Sequence, residues 1–380
     1  MRLLIIIYGT FLLGFTFFSY LFVDQNLIYM TNLYTGFANL NREIVTLLYI
    51  SFISVFFIFY FYFLRKITQK ILMNLIMLSA VFLFLSYPAI LSYDIFNYIF
   101  TAKILFWYQE NPFIVMPIEF IGDPYLNFTH AANKVALYGP SWVTMTGIPY
   151  LLGLNNFILT LFNFKLFVVV FYFGILYLIY KLTGRVESVA YFALSPLVLI
   201  ETFVSGHNDV SMMFFALLSF YLLKKEKIYL ALILLIISIF IKYATIFLIP
   251  IFTYYIFQKI KKRKINWEKI YISSALLMLI VFLLSPIREE IYPWYGIWFL
   301  TFISLTNIKT LKILGFVLSF GLMLRYVPYM YLGTHFGVTP IIKILATYIP
   351  LIAVVLYVLK DFKNIDIKSF LKFLPYKNSN

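Results

Sequence analysis

Long apolar runs separated by short polar breaks set the pattern of this chain. Runs at 3–23, 44–64, 71–91, 157–180, 188–204, 208–223, 228–241, 243–258, 268–286, 293–306, 310–331 and 340–359 are rich in Ile, Leu, Phe, Val and Tyr, without the period-two alternation of a half-buried strand. Most approach the ~20 residues that a helix needs to cross a bilayer. The pattern predicts an all-α, polytopic transmembrane protein of about twelve spans, within a range of about ten to fourteen. It excludes a transmembrane barrel, whose strands alternate. The first run follows Met1-Arg2, is too long for a secretory h-region and precedes no small-residue cleavage site, so it reads as a retained span. Pro196, Pro250 and Gly315 fall in or near spans, where neighbouring helices satisfy the freed backbone groups.

Residues 92–156 break the pattern. They form the one long non-spanning segment, and long loops commonly carry function. Over 93–107 the pattern predicts a helix with Asp94, Asn97, Tyr98 and Thr101 on one polar stripe at i, i+3, i+4 and i+7. The remaining positions are apolar, as in a helix lying in the membrane interface. Asn111-Pro112, Met116-Pro117 and Asp123-Pro124 then break the chain. A second amphipathic piece is expected near 127–137. The apolar but short segment 141–154 is expected as a re-entrant or interfacial element.

Composition supports this picture. The chain is 63% hydrophobic and 12% charged, against ~25% charged in soluble domains, so much of its apolar surface must meet lipid. There is no Cys, which removes disulfides and thiolate metal sites. The net charge of +15 has a positional explanation. Taking odd spans as leaving the cytoplasm puts 22 of the 30 basic residues inside with 5 of the 15 acids, giving +17 inside and −2 outside. Both termini are then cytoplasmic, 92–156 is extracytoplasmic, 360–380 is a cytoplasmic tail, and no nucleic-acid partner is needed. Counting 141–154 as a span would reverse this asymmetry. The chain reads as one transmembrane domain over 1–380.

Candidate chemistry gathers at the outer ends of the spans. Asp94, directly after the third span, is costly at the interface and reads as a general base or a ligand-positioning carboxylate; the structural alternative is a helix N-cap. Glu201, His207, Asn208 and Asp209 crowd into nine residues at the outer turn between the fifth and sixth spans. They read as a sugar-binding or acid-supporting group, or as helix caps with a snorkelling His. Lys242, Arg288 and Arg325 are cations at a depth that suits a lipid phosphate, against plain headgroup snorkelling. Lys103 and Lys343 are further cations, and Glu289 and Glu290 are potential partners of Arg288. Tyr138 and Trp142, which flank Gly139-Pro140, and the pair Trp294-Tyr295 offer rings to stack on a sugar, and Tyr98 on the polar stripe reads as a further substrate-binding residue. No Gly-rich phosphate loop and no nucleophile elbow is present, which argues against nucleotide hydrolysis and Ser-based acyl transfer. Three His without Cys argue against structural zinc.

Together, Ser92-Tyr93-Asp94, Asn111-Pro112, Tyr138-Gly139-Pro140-Ser141-Trp142, Gly206-His207-Asn208-Asp209 and Lys242-Tyr243 with the following Pro250 resemble the multi-spanning GT-C glycosyltransferases, above all the polyprenyl-phosphate-mannose-dependent mannosyltransferases. The resemblance covers about 92–250. It implies a polyprenyl-phosphate-linked sugar donor, a glycan or lipid acceptor, and transfer on the outer face of the cell membrane. It maps the family's outer-loop acid onto Asp94. Where many members carry an Arg shortly afterwards, this chain offers Lys103. The paired Asp-X-Asp is missing, since position 96 is Phe, so no paired acidic motif points to a divalent metal and no cofactor is assigned. One base and direct displacement imply inversion at the anomeric carbon, with Asp209 as an alternative carboxylate for a retaining route. The competing class is a transporter or flippase of lipid-linked sugars. It predicts inverted repeats and charges at the bilayer midplane, whereas the polar groups here cluster at span ends and no repeat is visible.

Overall fold

The computed structural model describes residues 2–23, 41–287 and 290–361, with side chains to residue 356. Among the described residues every regular element is helical. In chain order these are α1 (Arg2–Phe22), α2 (Arg42–Arg65), α3 (Gln69–Phe84), α4 (Asp94–Phe106), α5 (Pro140–Met145) and α6 (Gly147–Leu152). There follow α7 (Phe157–Thr183), α8 (Val186–Ala193), α9 (Pro196–Val204), α10 (Asp209–Lys224), α11 (Ile228–Ile241) and α12 (Tyr243–Ile260). The last are α13 (Trp267–Ile287), α14 (Pro293–Leu305), α15 (Lys309–Leu324), α16 (Val327–Leu332) and α17 (Thr339–Asp361).

Among the described residues seven helices are long and apolar enough to cross a membrane, counting α15 with α16 as one, and the pair α8–α9, bent by 60°, makes an eighth. The apolar helices α3, α11 and α14 are 10–17 residues long, short of a straight span. They coincide with runs expected to span, so the count of twelve is not reached by length and composition. Exposure supports a lipid environment. Only 17% of the α17 window and 39% of the α1 window are buried, and outward residues such as Leu3, Ile6, Ile341 and Leu356 are large and apolar.

Three local expectations change. The run at 71–91 stops being α-helical at Phe84, because the chain must straighten before Pro88; Tyr87 is extended and Pro88–Ile90 form a 3₁₀ turn. No helix forms over 129–137. That stretch is held as loop instead, with Ile118 N–H donating to Ala132 O at 2.9 Å and Ala136 N–H to Pro112 O at 2.7 Å. In α4 burial is continuous from Ile95 to Ile104 rather than one-sided, because the loop folds over its outward face; Ala131 N–H, for example, bonds Asn97 Oδ1 at 3.2 Å.

The helices divide into two compact units. The first comprises the described parts of Met1–Leu40, Leu78–Lys181 and Ile200–Ile249. Long-range hydroxyl bonds pin it: Tyr8 to Ser79 at 2.7 Å and Thr16 to Phe82 O at 2.8 Å. The second comprises the described parts of Asn41–Met77, Leu182–Leu199 and Pro250–Asn380. There Tyr49 OH donates to Met323 O, Tyr60 OH to Tyr191 O and Tyr191 OH to Lys312 O at 2.9, 2.5 and 2.9 Å. In apolar surroundings a phenol hydroxyl needs such a partner, and each of these ties helices far apart in sequence.

Candidate active site

The end of α9 builds the centre of the first unit. Ile200–Val204 is a π-helical turn, closed by Ser205 N–H to Ile200 O at 3.0 Å. Such turns are rare and recur at functional sites. Gly206 follows at φ 68° and lets His207 N–H return to Glu201 O at 2.9 Å. A side chain at 206 would also meet Ile95 Cδ1 at 2.9 Å, so both conformation and space demand glycine. The fully buried His207 ring then lies between two carboxylates, with Nδ1 3.6 Å from Asp94 Oδ2 and Nε2 3.3 Å from Glu201 Oε2.

Asp94 is the first helical residue of α4 and not its cap. Tyr93 occupies the cap position without a side-chain bond, and Ser92 Oγ accepts the Asp94 N–H at 3.2 Å. The carboxylate is thus left free of the capping role, and its side chain is 26% exposed. Burial pushes the Asp94 carboxyl above the usual carboxylate range and Asp209 adds to this, while His207 and Lys242 pull the other way.

Asp209 is fully buried at the start of α10 and chelates Lys242 Nζ at 3.1 and 3.0 Å. Lys242 sits in the break between α11 and α12, 23% exposed. The Tyr138-Gly139-Pro140 segment holds this break in place, with Gly139 N–H donating to Ile241 O at 3.1 Å. Tyr98 joins the pieces. Its hydroxyl donates to Asn208 Oδ1 at 3.3 Å, and its ring meets those of Tyr138 and Trp142 edge-on at 4.5 and 5.2 Å. Tyr98 and Trp142 are fully enclosed. Their ring faces are packed against protein here, so they form the floor of the site rather than an open sugar platform; Tyr138 is half-buried.

The structure therefore gathers Asp94, Tyr98, Tyr138, Trp142, Glu201, His207, Asn208, Asp209 and Lys242 in one unit. Of the charged members, Asp94 and Lys242 reach the surface while Glu201, His207 and Asp209 stay beneath. Lys103 has a different setting. Its Nζ pairs with Asp123 Oδ2 at 2.6 Å and lies 3.9 Å from the Tyr125 ring centroid. Tyr108 OH donates to the same Asp123 oxygen at 2.6 Å, a bond that, ahead of burial, pushes the phenol up to about 12. The buried Lys103 ammonium thus fastens the outer loop to α4 and has almost no exposed surface, whereas Lys242, although also paired, keeps part of its side chain open. Asp123 was missed in the sequence, where only its bond to Pro124 stood out.

In the second unit Arg325 and Lys343 share Glu290 Oε1 at 2.9 and 2.8 Å. Arg325 also donates from Nε to Ile291 O at 2.6 Å. Glu290 was expected as a partner of Arg288; Arg288 and Glu289 lie outside the described residues. Trp294, expected as a sugar platform with Tyr295, is buried and stacked on Tyr292 at 4.6 Å. Among the described residues no group of three or more His, Asp or Glu is arranged to hold a metal ion. A further buried cation in the first unit, Lys165, was also overlooked, although a lone Lys inside an apolar run is itself a signal.

Residues 5–258 match the family described as alpha-(1->6)-mannopyranosyltransferase, N-terminal domain. The chain belongs to this family. No curated protein and no solved structure matches it. Membership makes the chain a glycosyltransferase of the GT-C type, as the motifs implied, with a sugar donor and a glycan acceptor as its substrates. The matched span of this mannosyltransferase runs from α1 into α12 and carries Asp94, the 201–209 turn and Lys242; Arg325 lies beyond it.

Proposed function

We propose that the chain transfers mannose from a polyprenyl-phosphate-linked donor to a hydroxyl of a glycan or lipid acceptor on the outer face of the cell membrane, with Asp94 as base and inversion at the anomeric carbon. The observation that carries this reading is the pair of opposite charges, Asp94 and Lys242, each about a quarter exposed and each backed by fully buried ionisable partners. The acceptor hydroxyl gives its proton to Asp94 as its oxygen bonds to C1. The C1–O bond to the phosphate breaks, and the phosphate leaves with the electron pair. A carboxylate raised by burial is a better base than one in water. The phosphate is a weak base and needs charge stabilisation rather than a proton, which Lys242 supplies in a site with little water. Glu201 and His207 orient the base, and a protonated His207 would hold the Asp94 carboxylate in its charged form.

The distribution of Lys and Arg supports cytoplasmic termini and an outward site. The test is transfer by the purified protein in detergent, given either polyprenyl-phospho-mannose or a nucleotide-linked mannose. Product from the lipid-linked donor alone is expected. Product from the nucleotide donor alone would overturn the donor assignment, and no product from either would remove the enzymatic reading.

A further inference from the structure

Tyr98, Trp142 and Trp294, rings expected near a sugar, are enclosed by protein. An aromatic pair beside Asp94 is placed differently. Tyr93 immediately precedes Asp94, and the His130 ring lies on it, with centroids 3.5 Å apart and planes 13° from parallel. Tyr93 is half-buried, and its ring leans on Phe96 at 5.9 Å. His130 is exposed, so the stack ends at the surface in an imidazole.

The loop holds that imidazole from both sides. Before it, Thr129 N–H donates to Leu126 O and Thr129 Oγ1 to Tyr125 O, both at 3.0 Å. After it, Ala131 N–H donates to Asn97 Oδ1 at 3.2 Å, and Ala132 O accepts Ile118 N–H at 2.9 Å. These bonds fasten the loop without the His130 ring. Asn97 is also hydrogen-bonded to the Asp94 carboxylate. One buried amide thus ties the backbone beside His130 to the carboxylate, and Tyr93, Asp94 and Asn97 lie within about one turn of α4. Asp94 reaches the surface there with 26% of its side chain.

A pyranose has a face of C–H bonds and a rim of hydroxyls. The C–H face packs on a flat ring, and the two imidazole nitrogens exchange hydrogen bonds with hydroxyls. A polyprenyl chain lacks the hydroxyls and a phosphate lacks the apolar face. The stack hangs on the element that carries the base, whereas Lys242 belongs to the break between α11 and α12. The base takes its proton from the acceptor, so the sugar beside it is the acceptor's. We infer that the His130 ring, backed by Tyr93, is the acceptor subsite, on which the sugar that presents its hydroxyl to Asp94 is stacked. The inference rests on the proposed mannosyl transfer with Asp94 as base, and it narrows the acceptor from a glycan or lipid to a glycan.

The test uses the full-length protein in a detergent without a sugar headgroup, with α-1,6-linked mannobiose as the probe, after the linkage in the family's description. Binding is read without donor, by saturation-transfer NMR and by the rate at which diethyl pyrocarbonate modifies His130, mapped by peptide mass spectrometry. Wild type is expected to bind the disaccharide, and saturating disaccharide to slow modification of His130 at least about threefold. In transfer from polyprenyl-phospho-mannose, His130→Ala should raise KM for mannobiose about threefold to tenfold, as the loss of one ring contact provides, and do so by more than it lowers kcat. His130→Tyr, which keeps a ring, should restore KM to near the wild-type value. An unchanged acceptor KM in His130→Ala would overturn the inference, as would a larger rise in the donor KM, which would give the stack to the donor sugar. So would wild type that binds no mannobiose, or binds it with His130 still unprotected. The protection measurement needs no variant and decides the question if His130→Ala does not fold. Protection of His130 in a protein that transfers no mannose would refute the proposed reaction while supporting the sugar subsite, so the two failures are distinct.

Discussion

Replacing Gly139 by Ala tests how the outer loop holds the site. Gly139 has φ −69°, so its backbone conformation suits any residue. The demand is space: a Cβ here would lie 2.0 Å from Phe240 O and 2.7 Å from Phe240 C, both backbone atoms that no rotamer change can move. A carbon–oxygen contact needs about 3.3 Å, so the segments must part by about 1.3 Å. That separation strains or breaks the Gly139 N–H to Ile241 O bond. Overpacking of this kind costs about 1–3 kcal/mol and a lost hydrogen bond about 0.5–1.5 kcal/mol, so a destabilisation of about 2–4 kcal/mol is expected. The displaced residues adjoin Lys242, and a misplacement of ~1 Å near the chemistry can cost ~100-fold in rate. The assay pairs thermal unfolding in detergent with single-turnover mannosyl transfer. A Gly139→Ala protein with the wild-type midpoint and the wild-type rate would refute the claim that this loop positions Lys242.

Other outcomes follow from the same geometry. The raised Asp94 carboxyl means that the folded chain binds this proton more tightly than the unfolded chain does. Its contribution to stability is therefore greatest below the ordinary carboxylate range and declines as pH rises through the raised value; Asp94→Asn should unfold at a higher temperature than wild type at pH 7, a gap that closes below about pH 4. The acid limb of the wild-type rate profile should have its midpoint above that of an ordinary carboxylate, and a midpoint near 4 would count against burial as the dominant influence. His207→Gln should lower kcat more than it raises KM and displace that limb, whereas an unchanged limb would make His207 purely structural. Asp123→Asn leaves Lys103 buried without its charge partner, and breaking a buried pair costs about 3–5 kcal/mol; faster proteolysis within 107–137 is the readout, and wild-type resistance would contradict the loop-fastening role.

The membrane class was legible in the sequence because spanning helices leave continuous apolar runs, and α1, α2, α7, α13 and α17 follow those runs closely. The start of α4 was legible for a different reason: the polar stripe at 94, 97, 98 and 101 has helical spacing. What the stripe faces was not. Hydropathy reports which side chains are apolar, and it cannot tell lipid from an overlying loop, so α4 reads as interfacial although the loop encloses it. That the 201–209 turn, Asp94 and Lys242 share one face was anticipated from span ends alone, and the His207–Asp94 and Asp209–Lys242 contacts bring them together. The pairing itself was not anticipated, because Asp209–Lys242 joins residues 33 apart and Tyr98–Asn208 residues 110 apart. The chelation of Lys103 by Asp123 was hidden for the same reason: a cation's partner is set by a tertiary fold that one sequence does not spell out.

The reaction proposed above depends on the Asp94 carboxylate as the base of mannosyl transfer. The direct measurement is single-turnover transfer from polyprenyl-phospho-mannose by wild type and Asp94→Asn, each purified in detergent and shown to be folded by its thermal transition. General-base catalysis contributes about 10²–10⁴-fold, so the variant should be at least about 100-fold slower at pH 7. An Asp94→Asn protein that is folded and transfers mannose within a few-fold of the wild-type rate would contradict the account.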